Sequence, residues 1–382
     1  MAGKIFLPAI LLTKIKKMKK LLFIATVMAA TLLSFDASAQ WQRQITPNDT
    51  LKSVRVLPNG NTLISIYAPK ARQVNVTGDI GRASKSFEKN GVWFFEFEGV
   101  KPGAYRYSFI VDGVQVIDPK SEIATNNRPS AIVDPTGKEF FSYNPNIEHG
   151  SVAVRSYWSK TSGQTRTMRV WTPAGYENSK KKLPVLYLVH GGGDTDTSWP
   201  SVGCAGDILD NLLAEGKMVP MVVVMPNGTF PGNEVPIFAQ DLVTDIIPFI
   251  EKNYRVLTDQ ANRAMAGLSM GGMETLEAVF NNPTMFGYAW VLSSSFQPGQ
   301  EPAKEAERLG CAAKIPTINK TVKEFVFTMG GKTDIAYQNG INTRNYLESI
   351  GLKFEYMDVE GGHSWYAWRQ NLYDLAQRIF KK

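Results

Sequence analysis

One serine stands between two glycines in the stretch Gly267-Leu268-Ser269-Met270-Gly271. A serine in this G-x-S-x-G pattern can act as a nucleophile, because the glycines leave room for a sharp strand-to-helix turn that exposes its hydroxyl. The same pentapeptide could also be an ordinary tight turn. Nucleophilic chemistry requires a strand before the serine, a helix after it, an acid and a histidine later in the chain, and donors for an oxyanion.

A histidine is the expected general base, and the sequence contains three. His149 lies in a polar stretch between two regions of different hydrophobic pattern, and His190 ends an apolar run before three glycines. Only His363 fits the chain order serine, acid, histidine. We therefore predict that His363 takes the proton from Ser269 during nucleophilic attack.

Asp334 is the expected acid, which would orient His363 and stabilise its cationic form. It follows the predicted strand "EFVFTMGG", and His363 follows the next one, "KFEYMDV". Asp358 and Glu360 are alternatives, because both stand close to His363 in the sequence. Asp358 falls within the predicted strand and Glu360 lies on the histidine's own loop, which favours Asp334.

An oxyanion formed at Ser269 would need backbone N–H donors. We expect one from Met270, the residue after the nucleophile, and one from Gly192 in the run "HGGG" after the strand "VLYLV". The glycine run could also be a plain turn. The sequence contains no C-x-x-C, no H-E-x-x-H and no acidic calcium loop, so we expect neither a metal nor a cofactor.

Hydrophobic periodicity predicts the elements that must position these residues. From about residue 149 onwards, buried strands alternate with helical segments. The strand "RAMAGL" precedes Ser269 and the helix "GGMETLEAVF" follows it. This alternation predicts an α/β domain over residues 149–382.

The region before this domain has a different hydrophobic pattern. Its apolar segments are short, alternating and bounded by turns, and Asp112-Gly113 between two of them indicates a β-hairpin. We therefore predict an all-β sandwich over residues 40–135. The polar, proline-bearing stretch over residues 136–148 is the expected linker.

The first 39 residues have the features of a secretory signal peptide. A basic stretch over residues 14–20 precedes an apolar run over residues 21–33, and a small-x-small cleavage site ends at Ala39. We predict cleavage there and export to the periplasm or the cell exterior. No stable membrane insertion is expected afterwards, because the apolar run is shorter than the roughly 20 residues of a spanning helix.

Net charge and cysteine content bear on the expected partners and on disulfide formation. Residues 1–40 hold six of the 42 basic and one of the 35 acidic residues, which leaves a net charge of +2 on the remainder. This balance gives no reason to expect a nucleic-acid partner. Cys204 and Cys311 could pair in an oxidising compartment, or each could be a small buried hydrophobe.

Several of these stretches together resemble a known family. "LPVLYLVHGGGDTDTSW", "MVVVMPNG", "AMAGLSMGGMETL" and "GGHSWYAWRQNLYDLAQRIF" resemble the esterase-D-like branch of the α/β-hydrolases. More narrowly, they are similar to feruloyl and acetyl xylan esterases of carbohydrate esterase family 1. The N-terminal stretch from "ISIYAPK" to "VQVIDP" resembles the family 48 carbohydrate-binding, or isoamylase N-terminal, E-set sandwich. The resemblance implies an α/β-hydrolase domain preceded by an immunoglobulin-like sandwich.

The function that this resemblance implies is a carboxylic ester hydrolase acting through an acyl-enzyme. Feruloyl esters of arabinoxylan are the expected substrate, with feruloylated or acetylated xylan and its oligosaccharides as partners. Acetyl xylan esterases and ferric-enterobactin esterases remain alternatives, since the latter share the two-domain plan. A non-catalytic glycan-binding protein is the alternative from another class.

In such esterases aromatic side chains hold the acyl group or the sugar. Trp199, Trp365 and Trp368 are candidates for this role, and core packing explains each of them equally well. Three aromatic residues of the predicted sandwich could bind glycan or fill its interior. These residues are Trp93, Tyr105 and Tyr107.

Overall fold

The computed structural model describes Lys17 and residues 45–381, apart from 119, 122, 126, 127 and 233. The predicted signal peptide lies outside the described residues except for Lys17. A 3-10 helix, Pro47–Asp49, is followed by one compact unit over residues 52–382. Among the described residues, no helix is both long enough and apolar enough to cross a bilayer.

The N-terminal part of this unit consists of antiparallel strands. They are β1 Val54–Val56, β2 Thr62–Tyr67, β3 Val74–Gly78, β4 Lys85–Lys89, β5 Val92–Phe97, β6 Gly103–Val111, β7 Val114–Val116, β8 Ile123–Thr125 and β9 Arg128–Val133. One sheet has the order β1-β2-β5-β4, and a second has the order β3-β6-β9-β8 with β7 paired to β6. Ile64 and Phe95 of the first sheet share an apolar core with Phe109 and Val133 of the second. The arrangement is therefore a two-sheet sandwich.

Local sequence explains which of these strands were predictable. The hairpin between β6 and β7 is confirmed, because Asp112 and Gly113 both adopt positive φ, as the expected tight turn requires. Strand β4 was missed, since every one of its residues is exposed and its sequence lacks an apolar period of two. Tyr107 is buried in the sandwich core, and Trp93 and Tyr105 pack against it half-buried.

The remainder of the unit contains one long mixed sheet. Its strands are β10 Ser151–Ser159, β11 Gln164–Thr172, β12 Val185–Val189, β13 Val222–Pro226, β14 Arg263–Leu268, β15 Tyr288–Leu292, β16 Glu324–Met329 and β17 Glu355–Asp358. The order is β10-β11-β13-β12-β14-β15-β16-β17, in which β10, β11 and β13 pair antiparallel and all later pairs are parallel. The hairpin of β10 and β11 was not predicted, although "TSG" between its two alternating segments is a turn signal.

Helices cover both faces of this sheet. They are α1 Ala205–Ala214, α2 Glu234–Asp241, α3 Ile247–Asn253, α4 Met270–Asn281, α5 Pro302–Arg308, α6 Cys311–Thr321, α7 Tyr337–Ser349 and α8 Trp365–Arg378, with a π-helical stretch Leu242–Ile246 between α2 and α3. Helices α1 and α8 pack on one face, and α2 to α7 contribute to the core on the other. Cys204 and Cys311 belong to these two different cores and are both free thiols, so they form no disulfide.

The parallel part of the sheet places the predicted site residues at one edge. Gly192 follows the end of β12, Ser269 follows β14, Asp334 follows β16 and His363 follows β17. Because the carboxyl ends of parallel strands lie at the same edge, residues far apart in sequence meet there.

We expect the buried part of β12 to be sensitive to side-chain truncation, because this strand leads into the loop that carries Gly192. Leu188 is fully buried, and Leu188→Ala should lower the free energy of unfolding by about 2–5 kcal/mol. The control Val114→Ala changes a side chain that is 65% exposed and should stay within about 0.5 kcal/mol of wild type. Urea denaturation followed by circular dichroism measures both, and equal effects would contradict the described packing.

Candidate active site

Ser269 lies in a strained turn between β14 and α4. Its backbone has φ 52° and ψ −116°, which is a costly conformation for a residue with a side chain. Three neighbouring glycines make the turn possible. A Cβ on Gly267 would lie 2.0 Å from the carbonyl oxygen of Gly271, and one on Gly272 would lie 2.3 Å from Cβ of Ser294. The predicted strand, turn and helix are thus present, and Ser269 is partly exposed at the turn.

His363 bridges the serine and the predicted acid. Its Nε2 lies 3.0 Å from Oγ of Ser269, and its Nδ1 lies 2.7 Å from Oδ1 of Asp334. With a proton on Nδ1 donated to the carboxylate, the free Nε2 accepts the hydrogen bond of the serine hydroxyl. This is the geometry that general-base activation of a serine requires. The ring of Trp368 packs edge-on against the imidazole, with centroids 5.1 Å apart.

Asp334 is held as a buried carboxylate. Besides the bond from His363, Oδ1 accepts the amide hydrogen of Ala336 at 2.8 Å and Oδ2 accepts that of Gly330 at 3.0 Å. Burial alone would raise the pKa of Asp334, but the hydrogen bonds from His363 and these amides outweigh it and lower the pKa to about 2. The acid therefore stays charged at neutral pH, as stabilisation of an imidazolium requires.

The two alternative acids lie elsewhere. Asp358 ends β17, is exposed, and accepts a hydrogen bond from the hydroxyl of Tyr356. Glu360 is also exposed, and the carboxylate that bonds His363 is that of Asp334. The geometry therefore favours Asp334 over both alternatives.

The other two histidines make structural contacts. His149 bonds Asp210 through Nδ1 at 3.1 Å and the carbonyl of Asn144 through Nε2 at 2.9 Å. His190 is buried, and its Nε2 accepts the amide hydrogen of Gly228 at 3.0 Å. Burial lowers the pKa of His190, so its neutral ring links the strand ends of β12 and β13.

The predicted oxyanion donors lie side by side. A Cβ placed on Gly192 would be 4.0 Å from Cβ of Met270. For the amides of both residues, no protein acceptor is found among the described residues. Gly192 itself is exposed in a four-residue turn in which the amide of Asp194 donates to the carbonyl of Gly191 at 3.2 Å. Two unused N–H groups beside a serine can stabilise a developing oxyanion.

The three tryptophans proposed to contact substrate are all buried in one core on the face of α8. Trp365 packs edge-on against Trp199 at 5.1 Å and against Trp368 at 5.3 Å. The indole N–H of Trp199 donates to the carbonyl of Val189 at 3.1 Å. Their burial favours core packing beneath His363 over contact with an acyl group or a sugar.

Sequence reasoning missed three arginines that bind the oxyanion loop, which we define as residues 190–204 between β12 and α1. Each arginine comes from a different element, and no local sequence pattern signals a contact of this kind. Arg106 of β6 pairs with Asp194 at 2.9 Å, Arg169 of β11 pairs with Asp196 at 3.2 Å, and Arg369 of α8 donates to the carbonyl of Val202 at 2.9 Å.

The site thus brings together a serine hydroxyl, an imidazole, a charged carboxylate and two free amides, an arrangement that can carry out acyl transfer. Within the described part of the chain, no group of three or more histidine, cysteine or carboxylate side chains is placed to hold a metal ion.

The lowered pKa of Asp334 makes a testable contribution to acid stability. Its folded-state pKa of about 2 lies below the ordinary value of 3.8, so the carboxylate stabilises the fold by about 2 kcal/mol above pH 4 or so. This contribution is lost as the pH falls from about 4 towards 2. In urea titrations, the difference in unfolding free energy between wild type and Asp334→Asn should shrink over that range. The difference for Val114→Ala, which removes no titratable group, should stay constant, and a constant Asp334→Asn difference would contradict the assignment.

Comparison with known proteins identifies the family. Residues 159–379 match the family model for esterases, described as "Putative esterase". An endo-1,4-beta-xylanase/feruloyl esterase of Xylanibacter ruminicola is 35% identical over 346 residues, which cover 84% of this chain and 45% of that protein. The chain therefore spans less than half of that relative's length.

Solved structures show the same fold. A ferulic acid esterase structure, 26% identical, covers 61% of this chain and 98% of its own with a TM-score of 0.53. The enterobactin esterase of Shigella flexneri, 16% identical, covers 83% of this chain and 93% of its own with a TM-score of 0.57, and this likeness concerns the fold alone. Family membership favours a hydrolase over a non-catalytic glycan-binding protein. The α/β part of this chain has the α/β-hydrolase fold, and the chain belongs to the esterase family.

Proposed function

We propose that this protein is an exported serine esterase that removes feruloyl groups from arabinoxylan through an acyl-enzyme. The observation that carries the proposal is the position of the His363 ring, 3.0 Å from Oγ of Ser269 on one side and 2.7 Å from Asp334 on the other. The strained turn at Ser269 supports the same role, because it presents the hydroxyl at the edge of the sheet.

The reaction follows from these positions. Asp334 keeps the proton of His363 on Nδ1, so Nε2 takes the proton of Ser269 as Oγ attacks the ester carbonyl. The amides of Gly192 and Met270 stabilise the tetrahedral oxyanion. As the ester C–O bond breaks, His363 gives the proton to the sugar oxygen, which leaves as a hydroxyl group. A water molecule, deprotonated by the same Nε2, then attacks the acyl carbonyl. The bond to Oγ of Ser269 breaks, Nε2 returns the proton to Oγ, and the carboxylic acid is released.

The substrate class rests on the relatives. The Xylanibacter protein carries the name of a xylanase and feruloyl esterase, and the structure with 26% identity is a ferulic acid esterase. Both names favour feruloyl esters over acetyl esters for this chain. Feruloylated xylan and its oligosaccharides are accordingly the proposed partners, with acetylated xylan as the next candidate.

Export and glycan binding complete the proposal. The basic and apolar stretches within residues 1–39 support secretion to the periplasm or beyond. The sandwich of β1 to β9 supports the resemblance to an immunoglobulin-like family 48 carbohydrate-binding domain by its all-β architecture. Secretion would bring the esterase to a polysaccharide that does not enter the cell.

Incubation with intact arabinoxylan tests the substrate. The acids released by wild type and by Ser269→Ala are measured by chromatography and expressed as fractions of total feruloyl and total acetyl ester. We expect wild type to release a larger fraction of ferulate than of acetate, and Ser269→Ala to release neither above background. Preferential acetate release would indicate an acetyl xylan esterase instead, and the proposed acyl-enzyme mechanism would still apply.

Three substitutions measured side by side test the acid. Asp334→Asn should lower kcat by roughly 10⁴-fold with the fold preserved, because an amide stabilises the wrong imidazole tautomer and cannot offset the imidazolium charge. Asp358→Asn and Glu360→Gln should stay within about twofold of wild type, since both side chains are exposed and His363 is paired with Asp334. Each is assayed with the same ester at saturating concentration. If Asp334→Asn keeps a kcat near that of wild type while Asp358→Asn or Glu360→Gln loses most of it, the acid role belongs to Asp358 or Glu360 accordingly.

A further inference from the structure

The position of the Gly192 amide depends on a turn that is anchored outside the catalytic elements. Within Gly191 to Asp194, the amide of Asp194 donates to the carbonyl of Gly191 at 3.2 Å, and Gly193 has φ 77°. A positive φ at the third residue and a bond between the ends define a tight turn. The direction of the Gly192 N–H is therefore set by where Asp194 is held.

Asp194 is held by the N-terminal sandwich. Its side chain is 3% exposed, and its Oδ1 accepts a hydrogen bond from Nη1 of Arg106 at 2.9 Å. The same guanidinium donates from Nε to Asp79 at 2.6 Å, so Arg106 bridges one carboxylate of its own sandwich and one of the oxyanion loop. Burial raises the pKa of Asp194 to about 6 although Arg106 opposes the rise. A carboxylate buried this deeply depends on its partner, because an unpaired buried charge is costly.

A second contact ties the far end of the same loop to the same strand. Arg369 is buried in α8, the helix that follows His363, and its Nη1 donates to the carbonyl of Val202 at 2.9 Å and to that of Ala104 at 3.4 Å. Ala104 lies in β6, two residues before Arg106. Strand β6 is thus in contact with the oxyanion loop and with the helix behind the proposed base.

We propose that strand β6 of the sandwich is part of the active-site scaffold, and that Arg106 is a positioning residue that fixes the Gly192 amide relative to that of Met270. The inference rests on the proposed function, because it assigns the Gly192 amide to the oxyanion. Arg106 acts through Asp194 and the turn. The sandwich then has a role in catalysis that is separate from glycan binding. Residues 149–382 contain every predicted catalytic group, but the contact that Arg106 makes with Asp194 comes from outside this range.

A split between kcat and KM distinguishes positioning from binding. With a small soluble ester such as p-nitrophenyl acetate, Arg106→Met should lower kcat on the order of 10²-fold, because a misplaced oxyanion donor is felt in the transition state. KM should stay within about twofold, since the ground-state carbonyl gains little from the same donor. A small ester also removes any contribution from glycan binding by the sandwich.

Asp194→Asn is the second variant, and it leaves Arg106 paired with Asp79. It should lower kcat with KM unchanged in the same way. The double variant Arg106→Met with Asp194→Asn should be no slower than Arg106→Met alone, because both changes remove one interaction. Additive losses would show that the two residues act separately and would overturn the proposal.

Arg378 provides a matched control. Its side chain is 30% exposed against 23% for Arg106, and it also bridges two carboxylates, Glu355 at 2.5 Å and Glu324 at 3.4 Å. Those carboxylates begin β17 and β16, so the bridge lies at the sheet edge opposite the site. Arg378→Met should keep kcat within about twofold of wild type. An equal fall in kcat for Arg378→Met and Arg106→Met would mean a general loss of structure and overturn the proposal.

Circular dichroism and thermal unfolding establish that each variant is folded. If Arg106→Met does not fold, Asp194→Asn decides the question, and a folded Asp194→Asn with wild-type kcat overturns the inference. Wild type that hydrolyses no ester would instead remove the proposed function itself. If wild type and folded Arg106→Met are equally active, the proposed role of the sandwich is overturned and the proposed function stands.

Discussion

The close approach of Gly267 and Gly271 is the constraint on which the rest of the site depends. The carbonyl oxygen of Gly271 lies 2.0 Å from where a Cβ on Gly267 would stand, so this contact excludes any side chain at that position. It allows β14 to turn into α4 within one residue, and Ser269 accepts the strained φ of 52° at that point. A Cβ on Gly271 would in turn lie 2.5 Å from the carbonyl oxygen of His190. The serine turn and the start of the oxyanion loop are therefore packed directly together.

The electrostatics of the site follow from its place at the carboxyl edge of the sheet. Helix α4 begins at Met270, so its partially positive end lies next to Ser269, where the proposed oxyanion would form. Asp334 is buried and charged, and backbone amides hold it while His363 bridges the distance to Ser269. In the proposed mechanism, negative charge that develops on the substrate meets N–H donors, and positive charge that develops on the imidazole meets a carboxylate. Neither Ser269 nor His363 would have to move far for the hydroxyl proton to pass to Nε2.

The sequence predicted which side chains come together at the site better than it predicted their surroundings. Chain order and the ends of apolar strands were enough to select Ser269, Asp334 and His363, because parallel strands deliver their following loops to one edge. The sequence could not show that Trp365 is buried, since a tryptophan looks the same in a core and in a binding site. Nor could it show that Arg106 contacts Asp194, because the two residues are 88 positions apart, one in a strand of the sandwich and the other in the loop after β12. Contacts of that kind depend on how two layers pack, and no local period or turn signal encodes them.

The central claim is that Ser269 is the nucleophile of an acyl-enzyme, and covalent labelling tests it most directly. The folded protein is treated with a fluorophosphonate, digested, and mapped by mass spectrometry. The geometry predicts one adduct, on Ser269, formed in competition with ester substrate. Labelling confined to another serine, such as Ser294 beside the turn, or no labelling of folded and soluble protein, would contradict the account.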